Sequence, residues 1–126
     1  MIEMYKPRID RIYKAVDKVD NDWVCGYYVK AGKSSMIYSP VFDRTFIVYP
    51  STVCQQIGVC DSCGTFVYEN DIVLMARTDI CRVIYSGCKY VLLNADGTKD
   101  ELIPEHMSAL GKVIGNLYNH MVERSE

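Results

Sequence analysis

From residue 23 onward, apolar and polar positions alternate in short runs broken by Gly, Asn and Asp, which is the period-two signature of half-buried β-strands. The run WVCGYYVK puts Trp23, Cys25, Tyr27 and Val29 on one face and Val24, Gly26, Tyr28 and Lys30 on the other. Gly26 interrupts it, marking a bulge or the close approach of another backbone. Ala31-Gly32-Lys33 makes a turn, SMIY a second strand, and Pro40 to Thr45 a polar connection to FIVY, which Pro50-Ser51 closes. Thr52 to Ile57 alternates Val53, Gln55 and Ile57 against Thr52, Cys54 and Gln56, and Gly58 is expected to end that strand.

Asp61-Ser62-Cys63-Gly64 carries turn chemistry at both ends: an Asp whose side chain bonds the backbone ahead, and a Gly suited to positive φ. Thr65 to Tyr68 and Asp71 to Arg77 read as strands on either side of the corner Glu69-Asn70-Asp71, where Asn tolerates the left-handed conformation. ICRVIY and KYVLL follow as a hairpin around Ser86-Gly87-Cys88, and Asn94 to Gly97 is a further turn. Ile103, Met107 and Leu110 then recur at helical spacing between Pro104 and Gly111, which predicts a short helix near 102–111. VIGNLY reads as a last strand, bent or closely approached at Gly115, before a polar tail.

The start of the chain is ambiguous. Ile9, Ile12, Tyr13 and Val16 sit at helical spacing with Pro7 suited to a first turn, yet the same residues suit an extended arm or first strand. With 126 residues, the chain reads as a single domain: an arm or short helix over 1–20, a β core over 22–118 and a tail over 119–126.

Composition moves this picture further toward strands. Ten tyrosines against three phenylalanines and one tryptophan, with Val and Ile plentiful, favour a pleated, half-buried surface. A formal charge of −2 gives no general attraction to phosphate backbones. No run is apolar and long enough for a membrane span, and the first ten residues lack the design of an export signal. The expected location is therefore the cytoplasm of the cell that makes the protein. Six cysteines without an export signal read as reduced thiols; Cys25, Cys54, Cys81 and Cys88 fall in runs where Cys serves as a small buried hydrophobe.

Two groups of residues have chemical potential. Cys60-x-x-Cys63-Gly64 is half of a zinc knuckle, because two thiolates at this spacing on a tight turn can face one tetrahedral ion. The other two ligands would have to come from Cys25, Cys54, Cys81, Cys88, His106 and His120, which form no second knuckle, so the main reading is no metal and no cofactor, with Cys60 and Cys63 as the weaker alternative. Glu69 and Asp71, two apart, would share one face of an extended strand, as acid–base or metal-binding carboxylates do. Acidic residues beside an Asn at a bend more often bond backbone N–H groups. There is no phosphate-cradling glycine loop and no nucleophile elbow.

The ordered set Thr52-Val53, Gln55, Gly58, Asp61 with Gly64, Tyr68-Glu69-Asn70-Asp71-Ile72 and Ile114-Gly115-Asn116-Leu117-Tyr118 resembles the YopX family of phage and prophage proteins. Asp22-Trp23-Val24 and Gly26-Tyr27-Tyr28-Val29-Lys30 resemble that family's first clear strand, so the likeness runs over residues 22 to 118. Ile57 stands where the family commonly has Thr, Gln56 where it has an aromatic, and Asp61-Ser62-Cys63-Gly64 where it has Asp-Lys-Asn-Gly. The thiol-free turn of relatives argues against a metal at Cys60 and Cys63. The resemblance implies a mainly β, barrel-like protein of phage origin in the cytoplasm of a bacterial host. It implies no reaction.

Three functional expectations follow. The first is a binding module, not an enzyme, that docks a host or phage protein through a polar surface including Gln55, Glu69, Asp71 and Asn116, with Thr52 nearby in sequence. The second is single-stranded nucleic-acid binding on a tyrosine-bearing sheet face, which needs a cluster among Lys30, Lys33, Arg77, Arg82 and Lys89. The third is a metal-dependent hydrolase on Glu69, Asp71 and His106. Edge pairing into a homo-oligomer is compatible with any of them.

Overall fold

A computed structural model describes residues 12–122. The chain is mainly β and divides into two compact units, the first ending at Gln55 and taking in residues 121 and 122, the second running Gln56–His120.

In the first unit, β1 (Tyr13–Val16), β2 (Trp23–Ala31), β3 (Ser34–Ser39), β4 (Arg44–Ile47) and the start of β5 (Cys54–Cys60) form an antiparallel sheet in the order β4-β3-β2-β1-β5. Of the two readings of the N-terminal segment, the strand holds over Tyr13–Val16; residues 1–11 lie outside the described residues. One sheet face buries Ala15, Ile37, Phe46 and Val48, with Tyr13, Val24, Tyr28 and Val53 packed against them. Gly26 is required by a close approach: a Cβ there would run into the carbonyl oxygen of Tyr38.

Thr52 does not begin a strand as its alternation suggested. Pro50–Thr52 is a 3₁₀ turn, and the fully buried Thr52 hydroxyl accepts from the Val16 N–H (2.9 Å) and donates to the Tyr49 carbonyl (2.7 Å). Pro at the turn's first position explains the change, since its fixed φ suits a tight turn and it has no N–H for a ladder. Gly58 does not end β5 either. It adopts φ +81° within the strand, where the pairing with β6 shifts register, so it opens a bulge rather than a turn.

The second unit holds the rest of β5, β6 (Phe66–Tyr68), β7 (Asp71–Met75), β8 (Asp79–Ser86), β9 (Lys89–Asn94), β10 (Lys99–Glu101), α1 (Pro104–Leu110) and β11 (Gly111–Asn116). β6 pairs antiparallel with β5, and the other strands form a sheet in the order β10-β9-β8-β7-β11. Among the described residues the strands form open antiparallel sheets, not the closed barrel that a barrel-like fold would require. β10 had no counterpart in the sequence pattern because Lys99, Asp100 and Glu101 are all exposed and carry no alternation.

The core of this unit is Val67, Val73, Cys81, Val83, Leu92 and Met107. Burial of each larger aliphatic side chain contributes about 1.5–3 kcal/mol. Met107, 1% exposed, is how the seven-residue α1 holds its place, since so short a helix has little stability of its own. Gly111 stops α1 by a different route from the left-handed cap its position suggested. Its φ is −92°, and it starts β11 directly, packed so closely that a Cβ would meet the Met107 and Met75 sulfurs.

Two hairpins turn on pairs of left-handed residues. Gly87 and Cys88, at φ +60° and +69°, join β8 to β9, as the Ser86-Gly87-Cys88 pattern predicted. Ala76 and Arg77, at φ +52° and +75°, join β7 to β8 without a glycine or asparagine to ease the conformation.

Candidate binding cleft

The structure gathers three of the predicted polar residues into one network. At the corner between β6 and β7, Asn70 takes φ +69°, and the Asp71 carboxylate reaches back to accept from the Tyr68 N–H (2.8 Å). Its other oxygen accepts from the Asn116 amide (2.8 Å), which also lies 3.4 Å from the Glu69 carbonyl oxygen. Asn116 Oδ1 in turn accepts from the Tyr118 N–H (2.9 Å), and the Leu117 N–H donates to the Asn70 carbonyl (2.9 Å). This ties the end of β11 to the acidic corner, which explains why those two sequence-distant segments both carry distinctive polar residues.

Asp71 is completely buried and Asn116 is 6% exposed. Their expected place on a polar surface is therefore corrected: both are held inside, where a buried acceptor or amide must be hydrogen-bonded. Glu69 is half-buried at the same corner, and Gln55 lies in the first unit on β5, opposite Tyr13 of β1.

The Asp61 turn is built on the same logic. Asp61 is 4% exposed; one carboxylate oxygen accepts from the N–H groups of Cys63 and Thr65, the other from that of Val113 in β11, all at 2.9 Å. Burial pushes this carboxyl's pKa up, but the three backbone donors and the charge of Lys112 outweigh it and hold the pKa below the ordinary carboxylate value. Cys60 is half-buried and Cys63 exposed on this turn. Among the described residues no three His, Cys, Asp or Glu side chains gather in a metal-holding arrangement, there or elsewhere. Cys54 and Cys81 are buried as expected, whereas Cys25 and Cys88 are exposed, Cys88 because it forms a hairpin turn.

A concave feature of the second unit lies elsewhere, between the inward face of β8 and β9, the strand β10, and α1. Strand alternation brings Cys81 opposite Asn94 and Val83 opposite Leu92 on one face. The turn after β9 folds β10 alongside, and Met107 closes the bottom. The result is a cavity of about 190 Å³ with an apolar floor of Met75, Leu92, Ile103 and Met107 and a polar rim of Asp79, Asn94, Asp100, Glu101 and His106. A shallower depression of about 420 Å³ adjoins it, sharing Asp79, Asn94 and Asp100 and adding Asp96.

The rim is organised by Asn94. Its side-chain oxygen accepts from the Cys81 thiol (3.1 Å), and its amide donates to Asp100 Oδ2 (2.9 Å) and Thr98 Oγ1 (3.0 Å). Burial raises the Cys81 pKa, and the charges of Asp79 and Asp100 raise it further. Asp96 accepts from both the Thr98 hydroxyl (2.6 Å) and its N–H (3.0 Å), and these bonds lower its pKa, so it remains charged. Among the described residues no lysine or arginine lines either hollow. Lys99, in the midst of these residues in sequence, directs Nζ to Ser86 Oγ instead (3.2 Å).

Of the residues named from sequence as candidate ligands or site residues, only His106 and Cys81 line this cleft; Asn94, Ile103 and Met107 were read there only as turn and helix positions. The usable signal was the density of Asp96, Asp100 and Glu101 just after the Asn94 turn, but nothing local said that the inward face of β8 would meet it. The predicted catalytic set does not assemble. Asp71 begins β7 while Met75, at the cavity, ends it, a separation of roughly 13 Å at the usual strand rise. The basic cluster is likewise absent in this unit: Arg82 bonds Asn70 (2.9 Å), and Arg77 and Lys89 flank opposite ends of β8, roughly 25 Å apart. Lys30 and Lys33 belong to the first unit.

No protein-family model matches the chain, and comparison with characterised proteins gives no match. No helix of the described residues is long and apolar enough to cross a membrane.

Proposed function

We propose that this chain is a YopX-type phage accessory protein that works in the bacterial cytoplasm as a binding module, docking a host or phage protein through the cleft of its second unit. The observation that carries this reading is the construction of the cleft: an apolar floor beneath a polar rim in which Asn94 bridges Cys81 and Asp100, the usual make-up of a recognition site. Its chemistry opposes thiol-based catalysis. A nucleophilic thiol needs a lowered pKa and a neighbouring base, whereas Cys81 is raised by burial and two carboxylates and donates to an amide oxygen.

The test is site-specific photo-crosslinking of the full chain in its producing cell. A photoreactive residue replaces Ala95, at the rim, or Val41, 86% exposed on the first unit. A discrete cross-linked protein from position 95 and none from position 41 is expected. Equal products from both positions, or none from 95, would overturn the assignment.

A further inference from the structure

Resting on the reading of the cleft as a protein-docking site, we infer that the group it receives is a lysine or arginine side chain of the partner. Three features lead there. The first is size: the deeper hollow, about 190 Å³, is below the roughly 300–1,000 Å³ that encloses a whole small-molecule ligand and suits one long side chain, with the open depression of about 420 Å³ beside it left for the flanking backbone.

The second is the gradient of polarity. Met75, Leu92 and Met107 supply thioether and aliphatic walls at depth, while Asp79, Asp100 and Glu101 stand at the rim. Basic side chains combine an aliphatic stem with a charged head, so the stem lies along the methionines and the head meets the carboxylates. Methionine walls adapt to stems of differing shape, which suits either residue.

The third is charge complementarity. Asp79, Asp96, Asp100 and Glu101 line the paired hollows, and among the described residues no lysine or arginine lines them. The field of Asp79 and Asp100 reaches inward as far as Cys81. An acidic partner segment would meet repulsion from these four carboxylates, with His106 and Asn94 the only other polar groups among the described residues on the rim of the deeper hollow, and a purely apolar one would leave the carboxylates facing it without a counter-charge.

The experiment is a titration of the ¹⁵N-labelled full chain, read by amide chemical shifts, with three blocked tripeptides: Gly-Arg-Gly, Gly-Lys-Gly and the citrulline analogue, which keeps the arginine shape without the charge. Saturable shifts confined to residues 79–81, 92–96 and 100–107 are expected with the arginine or lysine peptide and not with citrulline. The Asp79→Asn/Glu101→Gln variant changes two exposed carboxylates, of which Asp79 accepts only a long bond from the Thr78 hydroxyl (3.4 Å) that Asn Oδ1 can keep, and its own spectrum reports that it is folded. Its affinity is expected to fall about tenfold, as two rim ion pairs are lost. Absence of shifts at the cleft with both basic peptides, equal shifts with citrulline, or unchanged affinity in the folded variant would each overturn the inference. Cross-linking at position 95 together with any of these results would leave the docking site standing and exclude the basic side chain as what it takes.

Discussion

Replacing Asp61 by Asn tests whether the turn after β5 is anchored by charge or merely by shape. The carboxylate sits 4% exposed and receives three backbone N–H groups at 2.9 Å, from Cys63, Thr65 and Val113. An Asn of the same shape keeps its carbonyl oxygen for Cys63 and Thr65 but turns an NH₂ toward the Val113 N–H. One bond to a charged acceptor, about 1.5–3 kcal/mol, is then lost, and the Val113 donor is left facing another donor. The remaining two bonds weaken from charged to neutral. The expected total is about 3 kcal/mol, a large part of the roughly 5–15 kcal/mol that holds a typical domain folded. Urea unfolding at pH 7, followed by far-UV circular dichroism, measures it.

The pH dependence supplies an independent check with a definite sign. The folded pKa of Asp61 lies below its unfolded value. Its contribution to stability is therefore fully present above the unfolded value, near 4, and is lost as the pH falls through the lower folded value. The gap between wild type and Asp61→Asn should accordingly be widest at neutral pH and shrink below about pH 4. A loss under about 1 kcal/mol at pH 7, or a gap that grows on acidification, would refute the account of a charge-anchored turn.

Gly26→Ala is expected to destabilise the first unit by about 3 kcal/mol, because the new Cβ must displace the Tyr38 carbonyl; Trp23 fluorescence in urea would report it, and a change below about 0.5 kcal/mol would show that the strands separate easily. Ala76→Asn/Arg77→Gly should stabilise the chain by about 1–2 kcal/mol, since both wild-type residues occupy the left-handed region in the three-residue turn between β7 and β8; a melting temperature that does not rise would mean that these side chains offset their own strain. Alkylation by iodoacetamide at pH 8, resolved by mass spectrometry, should modify the exposed Cys25, Cys63 and Cys88 quickly and the buried Cys54 and Cys81 slowly, with Cys81 slowed further by its raised pKa. Rapid modification of Cys81 in the folded protein would place its thiol at the surface.

The alternation of side chains was enough to read the strand class, most of the hairpins, the helix at Pro104–Leu110 and the Asp61 and Asn70 turns. These are local properties: period two, a left-handed residue, an Asp ahead of free N–H groups. The spacing of two carboxylates singled out Glu69 and Asp71, and the likeness to a known family added Asn116, but neither said why they are there. The reason depends on a contact between residues 45 apart in sequence, Asp71 with Asn116, which commits both to the interior. The 3₁₀ turn at Thr52 and the bulge at Gly58 escaped for a related cause: a buried hydroxyl bond to Val16 and a shifted register are settled by the neighbouring strand, not by the segment's own pattern.

The cleft is the clearest case of what tertiary structure alone decides. The inward position of Cys81 is legible from its strand, and the acidity of residues 96 to 101 is legible from composition. That β10 folds back beside β9, that Met107 closes the floor, and that Lys99 bonds Ser86 instead of lining the hollow are outcomes of pairing and packing among segments that carry no sequence record of one another. Local pattern fixes which face a side chain takes, because that follows from backbone geometry; what the face meets is set by the chain as a whole.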